Sequence, residues 1–138
     1  MSAPVRDTRA MIAGMDPRRQ PGLWHFVALD DPARAATLAP HALAVMAEPE
    51  GPSLVLSDAR ARAAGLATDL PMAQITLLVH SALDGVGLTA AVAAVLTAAA
   101  IPCNVIAGAR HDHIFVPEAD ADRAVRLLQA RAAEERQR

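Results

Sequence analysis

Between Gln74 and Val116 the spacing of apolar residues changes twice, and that change restricts the fold more than any other feature of the chain. In QITLLVH, residues 74–80, Ile75, Leu77 and Val79 fall on one face, which predicts a strand. The polar loop SALDGVG follows. Leu88, Val92, Val95 and Ala99 then recur at helical spacing, so a helix is expected from about residue 86 to 100, stopped by Pro102. CNVIA, residues 103–107, reads as a strand, residues 108–112 as a turn and residues 113–116 as a further strand. A last helix is expected from Pro117 to about Glu134. Pro117, Glu118 and Asp120 suit its positive N-terminal end and Arg131 its C-terminal end. The order β-α-β-β-α, with an antiparallel strand pair and helices on one face of the sheet, is an α+β, ferredoxin-like pattern.

The first half carries a weaker version of the same signals. Residues 5–14 read as a short helix, and Asp16-Pro17 and Pro21-Gly22 read as punctuation. LWHFVAL, residues 23–29, is a predicted strand whose alternation puts Trp24 and Phe26 together, as core and edge. Asp30-Asp31-Pro32 opens a turn before one helical turn around residues 33–38. Residues 41–47 fit helix or strand equally. Residues 53–56 make a short apolar strand, and Ser57 caps a helix over 58–64 that Gly65 ends. Residues 53–64 (SLVLSDARARAA) and 113–124 (HIFVPEADADRA) share the order strand, acidic cap, amphipathic helix at an offset of 60 residues. Two related halves are expected, residues 1–68 and residues 69–138, within a chain of 138 residues.

Composition removes several functional classes. A formal net charge of −2 lacks the basic footprint of a nucleic-acid binder, and 2% aromatic residues leave no stacking platforms for bases. The single Cys103 allows neither a disulfide framework nor a thiolate zinc finger. The longest apolar run, Leu88 to Ile101, falls short of the roughly 20 residues of a membrane span. Residues 1–15 lack a signal-peptide pattern, so a cytoplasmic protein with no membrane or nucleic-acid partner is expected. The alanine excess and the use of arginine without lysine reflect genomic base composition.

Three places carry chemistry. Asp84-Gly85-Val86-Gly87 precedes the apolar helix. Free N–H groups at a helix start suit a carboxylate, the glycines allow close approach, and Asp84 offers a charge for an ammonium group. Equally, Asp84 is an N-cap and the glycines a turn. Asn104 can hold a ligand polar group or stabilise a turn. His111 and His113 project to one face of an extended segment, with Asp112, His80 and Cys103 as further candidate ligands. That pair supports a metal-binding protein or enzyme as an alternative reading, against a solvated hairpin. Cys103 is expected to be a small buried residue, and the Arg131–Glu135 pair a solvated helix end.

The stretch ITLLVHSALDGVGLTAAVAAVLTAAAIPCNVIAGARHDHIFVP, within residues 74–128, resembles an ACT domain. The whole chain looks like a tandem ACT-like protein, similar in style to the regulatory end of aspartate kinases. The resemblance implies one βαββα unit in residues 69–138 and an incomplete or rearranged copy in residues 1–68. It also implies a non-enzymatic regulatory module that binds a small effector, an amino acid, between ACT units, with no cofactor and no metal. The ligand site carried onto this chain is the loop Asp84, Gly85, Val86, Gly87 and Leu88, met by the strand residues Asn104, Val105 and Ile106 of a neighbouring unit. A homodimer or higher homo-oligomer follows from the same resemblance, and an open edge strand at 103–107 favours it. A structural oligomerisation module without ligand is the remaining alternative.

Overall fold

The computed structural model describes residues 3–138. The chain runs α1 (Thr8–Ala13), β1 (Pro17–Arg19), β2 (Trp24–Ala28), α2 (Pro32–Leu38), β3 (Ala44–Met46), β4 (Ser53–Ser57) and α3 (Asp58–Ala63). It continues with β5 (Met72–Leu77), α4 (Leu88–Ala98), β6 (Asn104–Ala107), β7 (Asp112–Pro117) and α5 (Ala121–Arg136). Short 3-10 turns at Ala39–His41 and Glu118–Asp120 precede β3 and α5. The chain packs as two units, residues 22–72 and residues 3–21 with 73–138.

In the unit of residues 22–72 the strand order is β3-β4-β2, all antiparallel. β2 and β4 pair from Trp24↔Ser57 to Ala28↔Ser53, and β3 and β4 from Ala44↔Val55 to Met46↔Ser53. The ambiguous residues 41–47 thus provide the edge strand β3. Val27, Leu29, Ala35, Leu54, Leu56 and Ala61 form the core. Ser57 caps α3 as expected, its Oγ accepting from the Arg60 N–H at 3.3 Å. Trp24 and Phe26 do share a face, but it is not the one that packs into this core. Phe26 is 45% exposed, and the neighbour that turns inward is His25, 2% exposed. Burial of the imidazole is tolerated because Asp58 pairs with it at 2.7 Å.

In the other unit the strand order is β1-β5-β7-β6. β5 is buried along its whole length and β6 is the edge. Asp16-Pro17, read as punctuation, in fact opens β1, which pairs antiparallel with β5 from Pro17↔Leu77 to Arg19↔Ile75. Proline is tolerated there because it is the first residue of the strand. Residues 3–21 therefore pack with residues 73–138, whereas the sequence halves divide near residue 68. Met11, Ile12 and Met15 from the N-terminal segment join Ile75, Leu77, Leu88, Val92, Leu96, Ile114, Val116 and Leu128 in one core. Side chains reinforce that packing. Asp7 caps α1, Arg9 reaches Glu135 at 3.1 Å and Arg19 reaches Asp122 at 3.0 Å. Arg131 and Glu135 pair at 2.8 Å, but Glu135 is buried, so the expected solvated helix end is a junction between α1 and α5.

The elements repeated at the offset of 60 residues are β4 with α3 and β7 with α5. They occupy the same place in each β-α-β-β-α series. Each unit thus has the ferredoxin-like arrangement of antiparallel strands with helices.

Candidate functional site

The loop after β5 is shaped by residues nearly eighty positions earlier. The Val5 N–H donates to the His80 carbonyl at 2.7 Å and the Ala82 N–H to the Val5 carbonyl at 2.8 Å. Thr8 Oγ1 donates to the Val86 carbonyl at 2.5 Å. Arg6 pairs with Asp84 at 3.1 Å, and both side chains are exposed. Two glycines make the approach possible. A Cβ on Gly85 would lie 2.9 Å from Met11 Sδ. Gly87 sits at φ +106°, and a Cβ there would lie 2.6 Å from Thr8 Cγ2.

Gly87 is also the N-cap of α4, with no side-chain cap bond. The helix begins at Leu88, two residues later than expected, because the left-handed backbone of Gly87 cannot be part of it. Asp84 is three residues before that cap and does not cap the helix; its carboxylate is turned to Arg6. The first N–H groups of α4 are thus left without a side-chain acceptor from the cap.

Beside this helix start lies a cleft of about 170 Å³. Its wall includes Gly85, Gly87 and Leu88 from the expected site, with Met11, Ser81 and Asp112 among the others. Ser81 Oγ donates to Asp112 at 3.4 Å across it. Asp84 and Val86 do not line the cleft, and Val86 is strongly exposed. Asn104, Val105 and Ile106 lie on the edge strand β6 and do not line it either. Asn104 is exposed and in register with Phe115, so it begins a strand rather than stabilising a turn. Met11 and Arg6 had no signal of their own in the sequence. The two glycines marked that something comes close, without saying what.

The histidines take separate partners. His111 Nδ1 donates to the Val79 carbonyl at 3.2 Å, and its ring meets that of His80 edge-on at 6.5 Å. His113 Nδ1 lies 3.1 Å from Gln74 Nε2 and 3.0 Å from Thr76 Oγ1, both on β5 and both buried. Burial, with His111 nearby, holds the His113 imidazole below its ordinary pKa, against the opposing pull of Asp112. Among the described residues no group of three or more His, Cys, Asp or Glu is placed to hold a metal ion. Cys103 is only partly buried, and that burial raises its thiol pKa.

A family model of the ACT domain matches residues 69–130, and a second ACT-domain model matches residues 3–73, about half of the chain. The chain belongs to the ACT domain family. Its two matched segments make it a tandem ACT protein, and the ferredoxin-like strand order in each unit is the one this family uses. The chain is similar to a Vibrio cholerae protein of unknown function, described as a possible transport protein. The two share 38% identity over 87% of this chain and 92% of that one, with a TM-score of 0.76. It is similar in fold to an Agrobacterium tumefaciens protein, at 18% identity over 84% of this chain and 87% of that one, TM-score 0.63. It also shares its fold with part of the allosteric aspartate kinase of Clostridium acetobutylicum. There the identity is 12% over 83% of this chain and 33% of that one, TM-score 0.60. No curated protein matches the chain. Among the described residues no helix of this ACT protein is long and apolar enough to cross a membrane.

Proposed function

We propose that this tandem ACT protein is a non-enzymatic regulatory module that binds an amino acid beside the loop of residues 84–88. The observation that carries the reading is the cleft at the start of α4, where Gly85, Gly87 and Leu88 meet Met11, Ser81 and Asp112. Uncapped N–H groups at the helix start suit the ligand carboxylate. Asp112 within the cleft suits the ammonium group, whereas Asp84 is outside it and paired with Arg6. The cleft is small, which suits a small polar effector.

Asn104, Val105 and Ile106 sit on an edge strand away from this cleft. In this reading a second copy offers those residues to the loop of the first, so the effector is held between copies. The module is then cytoplasmic and passes the effector's occupancy to the activity it regulates.

A thermal shift screen across the twenty amino acids tests the proposal. One amino acid is expected to raise Tm at millimolar concentration, because occupancy at a hundred times Kd stabilises by about 2.7 kcal/mol. Asp112→Asn is expected to reduce that shift. No shift with any of the twenty, in a protein that still forms oligomers, would leave the structural module as the reading.

A further inference from the structure

We propose that Met11 sets the size limit of the effector, so that the cleft at α4 takes a small uncharged amino acid, of the size of alanine or serine, and refuses larger or acidic ones. This deepens the reading of that cleft as the effector site and rests on it. The cleft measures about 170 Å³, below the roughly 300–1,000 Å³ of ordinary small-molecule pockets. Met11 is part of its wall. A Cβ on Gly85 would lie 2.9 Å from Met11 Sδ and 3.0 Å from Met11 Cε, so the tip of the Met11 side chain, rather than its stem, stands against the loop.

Met11 has no room to retreat. It is 1% exposed and shares its core with Leu88, which is also buried and also lines the cleft. Helix α1, which carries Met11, is fixed at its start by the Asp7 cap and at its side by the pair of Arg9 with Glu135. Leu83 is the other long apolar side chain of the wall, but it is 74% exposed and turns aside freely. A close-packed side chain is a fixed boundary, because an extra methylene pushed against it strains its neighbours.

The remaining groups of the wall treat neutral amino acids alike. The Gly85 N–H donates to the Ala82 carbonyl at 3.0 Å and the Ala82 N–H to the Val5 carbonyl at 2.8 Å, so these backbone groups are spent within the chain. The first return bond of α4 runs from the Ala91 N–H to the Gly87 carbonyl. That leaves the N–H groups of Leu88 and Thr89 for the carboxylate that every amino acid carries. Asp112 is the one ionisable residue of the wall, and it meets the ammonium. An acidic side chain would face that carboxylate with no cation in the wall to offset it. Choice among neutral amino acids then falls to volume, and Met11 holds that boundary.

Calorimetric titration of the full chain tests this, with glycine, alanine, serine and threonine set against leucine, phenylalanine, lysine and aspartate. The tightest binder is expected in the first group, with leucine and phenylalanine weaker by about tenfold or more, the scale of one or two methylenes. In protein labelled with carbon-13 at the methionine methyls, that binder should shift the Met11 signal and leave the signal of Met46, exposed in the unit of residues 22–72, in place. Met11→Val shortens the side chain and should narrow the gap between leucine and alanine about tenfold. Met46→Val, the same change outside the cleft, should leave the gap as it is. The methyl signal is read on the unaltered chain, so it decides the role of Met11 even where the valine variant does not fold. A tightest binder from the second group, or an unchanged gap in a folded Met11→Val protein, would overturn the size limit and leave the site reading standing. A Met11 methyl unmoved by a bound amino acid, or no binding at all, would overturn both.

Discussion

Gly87 holds φ +106° at the start of α4 while the methyl of Thr8 lies over it. A side chain at this position meets both backbone strain and a contact too short to keep. Gly87→Ala is therefore expected to destabilise the protein by about 1–3 kcal/mol, read as a lower urea midpoint with an unchanged slope. His113 shows a residue-scale effect of a different kind. Gln74 Nε2 can only donate, so Nδ1 accepts from it, and a proton on that nitrogen removes the bond. The folded imidazole titrates below the ordinary value of 6.5, so the unfolded chain takes up the proton first as pH falls. This group's contribution is complete above that value and is lost as pH falls through the lowered folded value. His113→Asn should flatten the decline of Tm between neutral and mildly acidic pH. An identical decline in the variant would show that His113 is not the group concerned.

At the scale of elements, the N-terminal segment decides more than its length suggests. α1 and β1 are short, yet they place Met11, Ile12 and Met15 in the core and give β5 an antiparallel partner. Each buried methionine is worth about 2–5 kcal/mol on truncation to alanine. Whole domains are stable by only about 5–15 kcal/mol. A fragment of residues 73–138 alone is therefore expected to lack a cooperative thermal transition, although it holds every element of the β-α-β-β-α series. A sharp transition in that fragment would contradict this. The sequence was legible for most elements here, because strands β5 and β7 and helix α4 announce themselves by period. β1 was not, because three residues starting with proline have no period to read. Its identity as a strand comes from pairing with β5, which is far away in the chain, as in Pro17↔Leu77 and Arg19↔Ile75.

For the molecule as a whole, the question is what assembles it and what it responds to. β6 is an edge strand with an exposed Asn104, and the proposed effector site draws on that strand from a second copy. Light scattering coupled to size exclusion is expected to give a mass well above the 14.4 kDa of one chain. A monomer at all concentrations would remove the shared-site reading, though not the cleft at α4 itself. Addition of the stabilising amino acid should shift the population further toward the larger species. An effector that binds without changing the mass would place the whole site within one chain.

The sequence by itself determined the order of most elements and the ferredoxin-like class, because hydrophobic period and punctuation are local properties of a chain, and the family through the resemblance of one stretch within residues 74–128. It also marked Gly85 and Gly87 as points of close approach. Only the tertiary structure decided which residues come close: Met11 against Gly85, Thr8 against Gly87 and Arg6 against Asp84. It likewise turned His25 inward in place of Trp24 and Phe26, because a carboxylate at Asp58 makes that burial tolerable. Period two says which side chains share a face of a strand, and only packing says which face is the inside.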